Sequence, residues 1–183
     1  MHAGNFKHRV LLMTTYSGGF RVSEVVRLRV SDIDSERMLI RVRQGKGNKD
    51  RYTLLSERLL EELRVYWQRY RPVNWLFTGW GQDRPLSIGA AQKIYLRAKR
   101  SAGIKKEGGI HTLRHCFATH LLESGTDPRS IQVLMGHTHI GTTLRYVQVT
   151  DKKIDSIKSP LDQVKFQLRE YAHRKEESHD DYF

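Results

Sequence analysis

Apolar positions recur along most of this chain at helical spacing and only briefly at the spacing of a strand. Phe6, Val10 and Met13 predict a helix over residues 6 to 16, which Ser17, Gly18 and Gly19 stop. A second helix begins in RVSEVVRL, with Val22, Val25 and Val26 inward and Arg21 in its first turn. SDID at 31 to 34 reads as a turn. Met38, Ile40 and Val42 then alternate with Leu39, Arg41 and Arg43, the period of a strand, and Tyr52 and Leu54 resume that alternation on a second strand. The intervening QGKGNKDR has the glycines and asparagine of a tight loop, which leaves Lys46 at or near a hairpin tip. Residues 56 to 71 predict an amphipathic helix with Leu59, Leu60, Leu63, Trp67 and Tyr70 buried, ended by Arg71 and Pro72. WLF at 75 to 77 reads as a short apolar strand. A helix from about Ser87 turns Ile88, Ala91, Ile94, Tyr95 and Ala98 inward.

The densest chemistry follows at 109 to 148. A helix starting near His111 brings Arg114 and His115 onto the same face, while Leu113, Phe117 and Leu121 form a separate inward stripe. Gly125 stops it, and Thr126 or Asp127 ahead of Pro128 starts the next, whose buried side is Ile131, Leu134 and Met135. Gly136 ends that helix just before His137. A third short helix from near Thr138 then carries Tyr146 toward its end. Beyond it the chain reads as a polar helix with Ile154 and Ile157, broken by Pro160, and residues 161–183 form a charged, fraying extension to a domain spanning 1–160.

Charge narrows the partner. With 32 Lys and Arg against 20 Asp and Glu, the net charge is +12, which suits a polyanion. Nucleic acid is favoured over an anionic membrane surface because the cations are spread over many segments instead of one amphipathic helix. The single cysteine, Cys116, excludes an internal disulfide framework and fits a reducing compartment. Together with the lack of a membrane-length apolar run or a secretory signal, this makes a cytoplasmic protein the expectation.

Within that frame, Arg21 at a helix start is a candidate phosphate ligand, and Glu24 three residues on is close enough to fix its direction. Arg41, Arg43, Lys49 and Arg51 surround Lys46 and point to phosphate contact along a nucleic acid. His111 and His115 have the spacing of a metal pair, but no HExxH glutamate or cysteine cluster accompanies them, so no metal is expected. Tyr146 is the candidate nucleophile of a phosphate-handling pocket. Its ordinary alternative is a half-buried packing tyrosine, one of eight in the chain.

Three motifs in order resemble the catalytic domain of the tyrosine recombinases, or phage integrases, including Xer-like and integron-type members. GGFRVSEVVRLRVSDID is similar to the family's first arginine box, QGKGNKDR to its lysine hairpin, and HTLRHCFATHLLESGTDPRSIQVLMGHTHIGTTLRY to its second box with the nucleophile. The likeness runs from about Phe6 to Lys158. It implies a mainly α fold with a small antiparallel β-sheet (α+β), acting on double-stranded DNA without metal, ATP or other cofactor.

By that resemblance Tyr146 attacks the scissile phosphate to give a 3'-phosphotyrosine and a free 5'-hydroxyl. Arg21 and Arg114 hold the non-bridging oxygens, and Lys46 protonates the leaving oxygen. His111 assists proton transfer at the tyrosine, and His137 donates to or orients the phosphate. Glu24 and His115 take supporting roles. Family members also carry a DNA-clamping domain ahead of the first arginine box; with about twenty residues before Arg21, the expectation is an isolated or truncated catalytic domain with weak DNA affinity. Self-assembly on DNA is expected too, as a synaptic tetramer in the family, with residues 150 to 160 docking on a neighbouring subunit. The activity implied is recombination or integration for a mobile element. A type IB topoisomerase-like nicking and closing activity, or a DNA-binding remnant inactive alone, are the alternatives.

Overall fold

Helix α1 (Phe6–Ser17) runs through the middle of the computed structural model, which describes residues 5–43, 50–80, 84–136 and 159–163. Phe6, Val10 and Met13 do face the core, yet every residue from Val10 to Ser17 is buried, because helices pack on several sides of α1. A helix enclosed all round is a central element, not a surface one. Its buried Thr14 and Thr15 are tolerated because each hydroxyl donates one turn back, to the Val10 and Leu11 carbonyls at 2.8 and 2.7 Å.

The Gly18–Gly19 turn leads into the short α2 (Val22–Val25), then a single 3-10 turn (Val30–Asp32) and the antiparallel strands β1 (Ile33–Asp34), β2 (Leu39–Val42) and β3 (Arg51–Leu54) in the order β1-β2-β3. Ile40 pairs with Thr53 and Val42 with Arg51, so these four share a face. The expected alternation holds only in part. Met38 lies ahead of β2 at a left-handed φ of 53°, Leu39 is buried as well as Ile40, and Tyr52 is exposed opposite Arg41. Thr53 takes the inward place instead, its hydroxyl donating to the Gly18 carbonyl at 2.8 Å.

Helix α3 (Glu57–Tyr70) begins where the Ser56 hydroxyl accepts from the Leu59 amide at 3.1 Å. Leu59 and Leu63 are buried as the periodicity predicts, but the third deeply buried position is Tyr66, not Trp67. The Tyr66 hydroxyl donates to the Leu76 carbonyl at 3.0 Å, which makes its burial affordable, whereas Trp67 is 42% exposed under the Arg71 guanidinium, 4.3 Å away. WLF forms no strand: Trp75 makes one isolated bridge to Arg29, and Leu76 and Phe77 are held in the core by single amide contacts to Leu28 and Leu86.

Helix α4 (Ile88–Ser101) is capped by Ser87 and buries Ala91 and Ile94, with Ile88 exposed at its first position. Helices α5 (His111–Glu123) and α6 (Pro128–Met135) follow. Asp127, not Thr126, is the cap between them, accepting from the Arg129 and Ser130 amides at 3.0 Å. Pro160, expected as a breaker, opens the short α7 (Pro160–Gln163). Leu161 is completely buried, and α7 packs on α1, α3 and α5. The packed core therefore includes the first residue of the segment that the charge pattern assigns to an extension. Among the described residues, no helix is long and apolar enough to cross a membrane.

Candidate active site

The site begins at the turn that ends α1. Gly19 has φ +60°, and a Cβ there would lie 2.4 Å from the Phe117 ring of α5, so the turn can seat against α5 only with glycine. Two residues on, Arg21 is the N-cap of α2, one position outside the first turn where the sequence puts it. Glu24 reaches back to it: one carboxylate oxygen accepts the Arg21 amide at 2.8 Å, and the other accepts its Nη1 at 2.7 Å. That cap turns the Arg21 guanidinium toward the end of α6, where Nη2 donates to the Gly136 carbonyl at 3.4 Å.

Arg114 arrives from α5. His111, Arg114 and His115 do not share the one face, apart from the apolar stripe, that the spacing predicts. Arg114, Phe117 and Leu121 are buried together, while His111 and His115 are exposed, their rings meeting edge-on at 5.8 Å. At 3.6 residues per turn Arg114 lies nearly in line with Leu121, so an arginine joins the inward stripe. Its Nη1 donates to the Gly19 carbonyl at 2.6 Å and its Nη2 to the Met135 carbonyl, and Nη1 stands 3.7 Å from Glu24.

Arg51 is the third arginine. Grouped by sequence with Arg41, Arg43 and Lys49 as a DNA contact, its side chain is only 11% exposed. Nη2 pairs with Glu24 at 2.8 Å, Nη1 donates to the Leu134 carbonyl, and the guanidinium lies 6.0 Å from the Phe20 ring. A usable signal was in the strand pattern: Arg51 pairs with Val42, in phase with Ile40 and Thr53 on the inner face. Arg41 and Arg43 do lie toward solvent, each paired with one acid, Asp50 at 2.5 Å and Asp32 at 2.6 Å.

Three guanidiniums thus surround one carboxylate that is 7% exposed. Burial pushes the Glu24 carboxyl up, but the Arg51 charge and the hydrogen bonds from Arg21 outweigh it and hold the group below the usual carboxylate range. Burial lowers Arg51, with Glu24 partly restoring it. Arg114 is pulled down to about 10, by burial first and then by the Arg21 charge, with Glu24 compensating only in part. Arginine side chains in proteins keep their proton at neutral pH. Among the described residues this leaves two positive charges in excess, held together at a free-energy cost that an arriving anion relieves.

The structure therefore brings together Arg21, Glu24 and Arg114, adds Arg51, and places His111 at the exposed start of the helix that carries Arg114. Lys46, Lys49, His137 and Tyr146 lie outside the described residues. No three His, Cys, Asp or Glu side chains gather as a metal site among the described residues.

Residues 2–153 match the phage integrase family. A Sinorhizobium fredii protein provisionally named integrase/recombinase y4qK is 44% identical over 158 residues, covering 86% of this chain and 51% of its own length. Tyrosine recombinase XerA of Thermococcus onnurineus is 40% identical over 147 residues, covering 79% of this chain and 51% of its own. The crystal structure of a XerA recombinase superposes with a TM-score of 0.62 at 26% identity, over 89% of this chain and 63% of that one. The chain spans about half the length of the curated relatives it matches.

Proposed function

This chain belongs to the phage integrase family, as a tyrosine recombinase catalytic domain, and from that premise we propose that it cleaves and rejoins duplex DNA as a site-specific recombinase or integrase of a mobile element. The observation that carries the reading is the cluster of Arg21, Arg51 and Arg114 around the single carboxylate of Glu24. A surplus of fixed positive charge, with Arg51 and Arg114 largely buried and Arg21 open to an incoming group, suits a phosphodiester, whose negative charge grows as a fifth oxygen approaches phosphorus.

In this proposal the Tyr146 oxygen attacks the scissile phosphorus, the bond from phosphorus to the 5' oxygen breaks, and Lys46 gives its proton to that leaving oxygen. His111 takes part in moving the tyrosine proton, and His137 donates to the phosphate. The linkage is a phosphodiester, so a 5'-hydroxyl from a second strand can reverse the step without ATP or metal. Ionising a phenol of pKa about 10 at pH 7 costs about 4 kcal/mol, and Arg21 and Arg114, bonded to the non-bridging oxygens, offset it. Glu24 orients Arg21, and His115 supports the exposed edge of the pocket. Arg41, Arg43 and Lys49 meet the DNA backbone alongside, and several copies assemble on the DNA to exchange strands.

The test is a set of nicked suicide duplexes incubated with the protein, with covalent adducts mapped by mass spectrometry. The expected adduct is on Tyr146 and is lost in Tyr146→Phe. An adduct that persists in that variant, or maps to another tyrosine, overturns the assignment.

A further inference from the structure

We infer that Arg51 is a positioning residue for DNA cleavage, a staple whose guanidinium joins the start of β3 to Glu24 and to the end of α6, and so sets where the Arg21 guanidinium stands. The inference rests on the cleavage reading above.

Four features separate Arg51 from the other hairpin arginines. First, it lies on the inner face of β3, one residue after Asp50 and two after the segment 44–49 that contains Lys46. Second, its Nη2 bonds, at 2.8 Å, the same Glu24 oxygen that accepts the Arg21 amide at 2.8 Å, so Arg51 and the cap of α2 share one acceptor. Third, its Nη1 donates to the Leu134 carbonyl, near the C-terminus of α6. Fourth, α6 ends beside it in a left-handed glycine: Gly136 has φ +62°, and a Cβ there would lie 2.5 Å from Arg51 Cδ. The Gly136 carbonyl in turn receives Arg21 Nη2. Three segments distant in sequence, at 21–24, 51 and 134–136, are therefore tied by one side chain. Arg41 and Arg43, in contrast, each pair with a single acid, and their own side chains are 41% and 36% exposed.

The chemistry needs an arginine. Two separate donors in a fixed planar fork reach the carboxylate and the carbonyl at once, which a lysine's single ammonium on a flexible stem does less well. Arg51 touches neither substrate nor nucleophile in this scheme. It acts through Glu24 and through the register of α6 against β3, where a displacement of about 1 Å in a reacting constellation is enough to slow chemistry on the order of a hundredfold.

Arg51→Met keeps the volume and removes the fork, and Arg51→Lys keeps the charge. Both are compared with wild type by urea unfolding, by single-turnover adduct formation on saturating nicked DNA, and by carboxyl NMR titration of Glu24. The expected result is adduct formation slowed by about tenfold or more in Arg51→Met at nearly unchanged DNA affinity, with partial recovery in Arg51→Lys. The Glu24 midpoint should rise in Arg51→Met and stay near wild type in Arg51→Lys. If Arg51→Met does not fold, Arg51→Lys decides on the same readouts, since a lysine that restores full rate shows that the fork is not needed. A folded Arg51→Met with wild-type rate and an unmoved Glu24 midpoint overturns the inference. If wild type forms no adduct, the cleavage reading fails by itself, while an unmoved Glu24 midpoint still refutes the staple.

Discussion

Two stretches of this chain read almost alike, RVSE at 21–24 and RVSD at 29–32, and the fold starts both in the same way. In each, the arginine is extended just ahead of a helical turn and donates its amide to the acid three residues on, at 2.8 Å from Arg21 to Glu24 and 2.9 Å from Arg29 to Asp32. They part in what arrives from elsewhere. Asp32 takes one cation, Arg43 at 2.6 Å, while the Arg29 guanidinium rests on the Trp75 ring. Glu24 takes three, from its own turn, from β3 and from α5. A carboxylate with one cation is balanced; one outnumbered by three guanidiniums leaves positive charge over, which in the proposed reading a phosphate takes up. The same local motif becomes structure or site according to its distant partners.

Breaking the two constellations separately should show the difference most strongly in rate. On saturating DNA, Arg114→Ala should slow single-turnover adduct formation by about a hundred to a thousand fold, whereas Arg43→Ala should weaken DNA binding and leave that rate nearly unchanged. Stability should then distinguish the acids. Glu24→Gln strips the shared counter-charge from three guanidiniums and should lower unfolding free energy in urea by about 3 kcal/mol. Asp32→Asn keeps an oxygen for the Arg29 amide and loses one charge-assisted bond between a buried carboxylate and a partly exposed guanidinium, about 1 to 2 kcal/mol.

Two glycines sharpen the contrast at smaller scale. Gly136→Ala and Gly103→Ala both force an alanine into a left-handed φ, +62° and +68°, and each should cost about 1 to 2 kcal/mol. Only at Gly136 does the added methyl meet Arg51, so only that variant should also slow adduct formation; nothing lies within 4 Å of a Cβ at Gly103.

The smallest effect is on pH dependence. The folded Glu24 carboxyl is held below its unfolded value of about 4.3, so its contribution is complete above that pH and is lost as the pH falls through the folded value. Between the folded value and about 4.3, urea melts should therefore show a shallower pH slope in Glu24→Gln than in wild type.

What the sequence makes legible is local. Helices α1, α3, α4, α5 and α6 follow from apolar spacing, the passage between α5 and α6 from Gly125, Asp127 and Pro128, and the end of α6 from Gly136, because caps and stops act within a few residues. The choice of Tyr66 over Trp67 is not local: it turns on a carbonyl ten residues away that satisfies one aromatic and not the other. Half the visible site is legible in the same sense. Arg21 and Glu24 lie three apart, and their contact can be anticipated; Arg114 is recognisable only through the motif around it. Arg51 is hidden because its role depends on strand register and on α6 presenting the Leu134 carbonyl. Tyr146 rests on its spacing from His137 and on the family motif.

In the proposed reading an anion completes the charge balance around Glu24, which is measured most directly by titrating the Arg114 guanidinium by carbon-13 NMR, with and without bound duplex DNA. In the free protein Arg114 should titrate near 10, held down by burial and by Arg21. With DNA bound, a phosphate among the arginines should move that midpoint well upward. An Arg114 that titrates identically in both states would contradict the account.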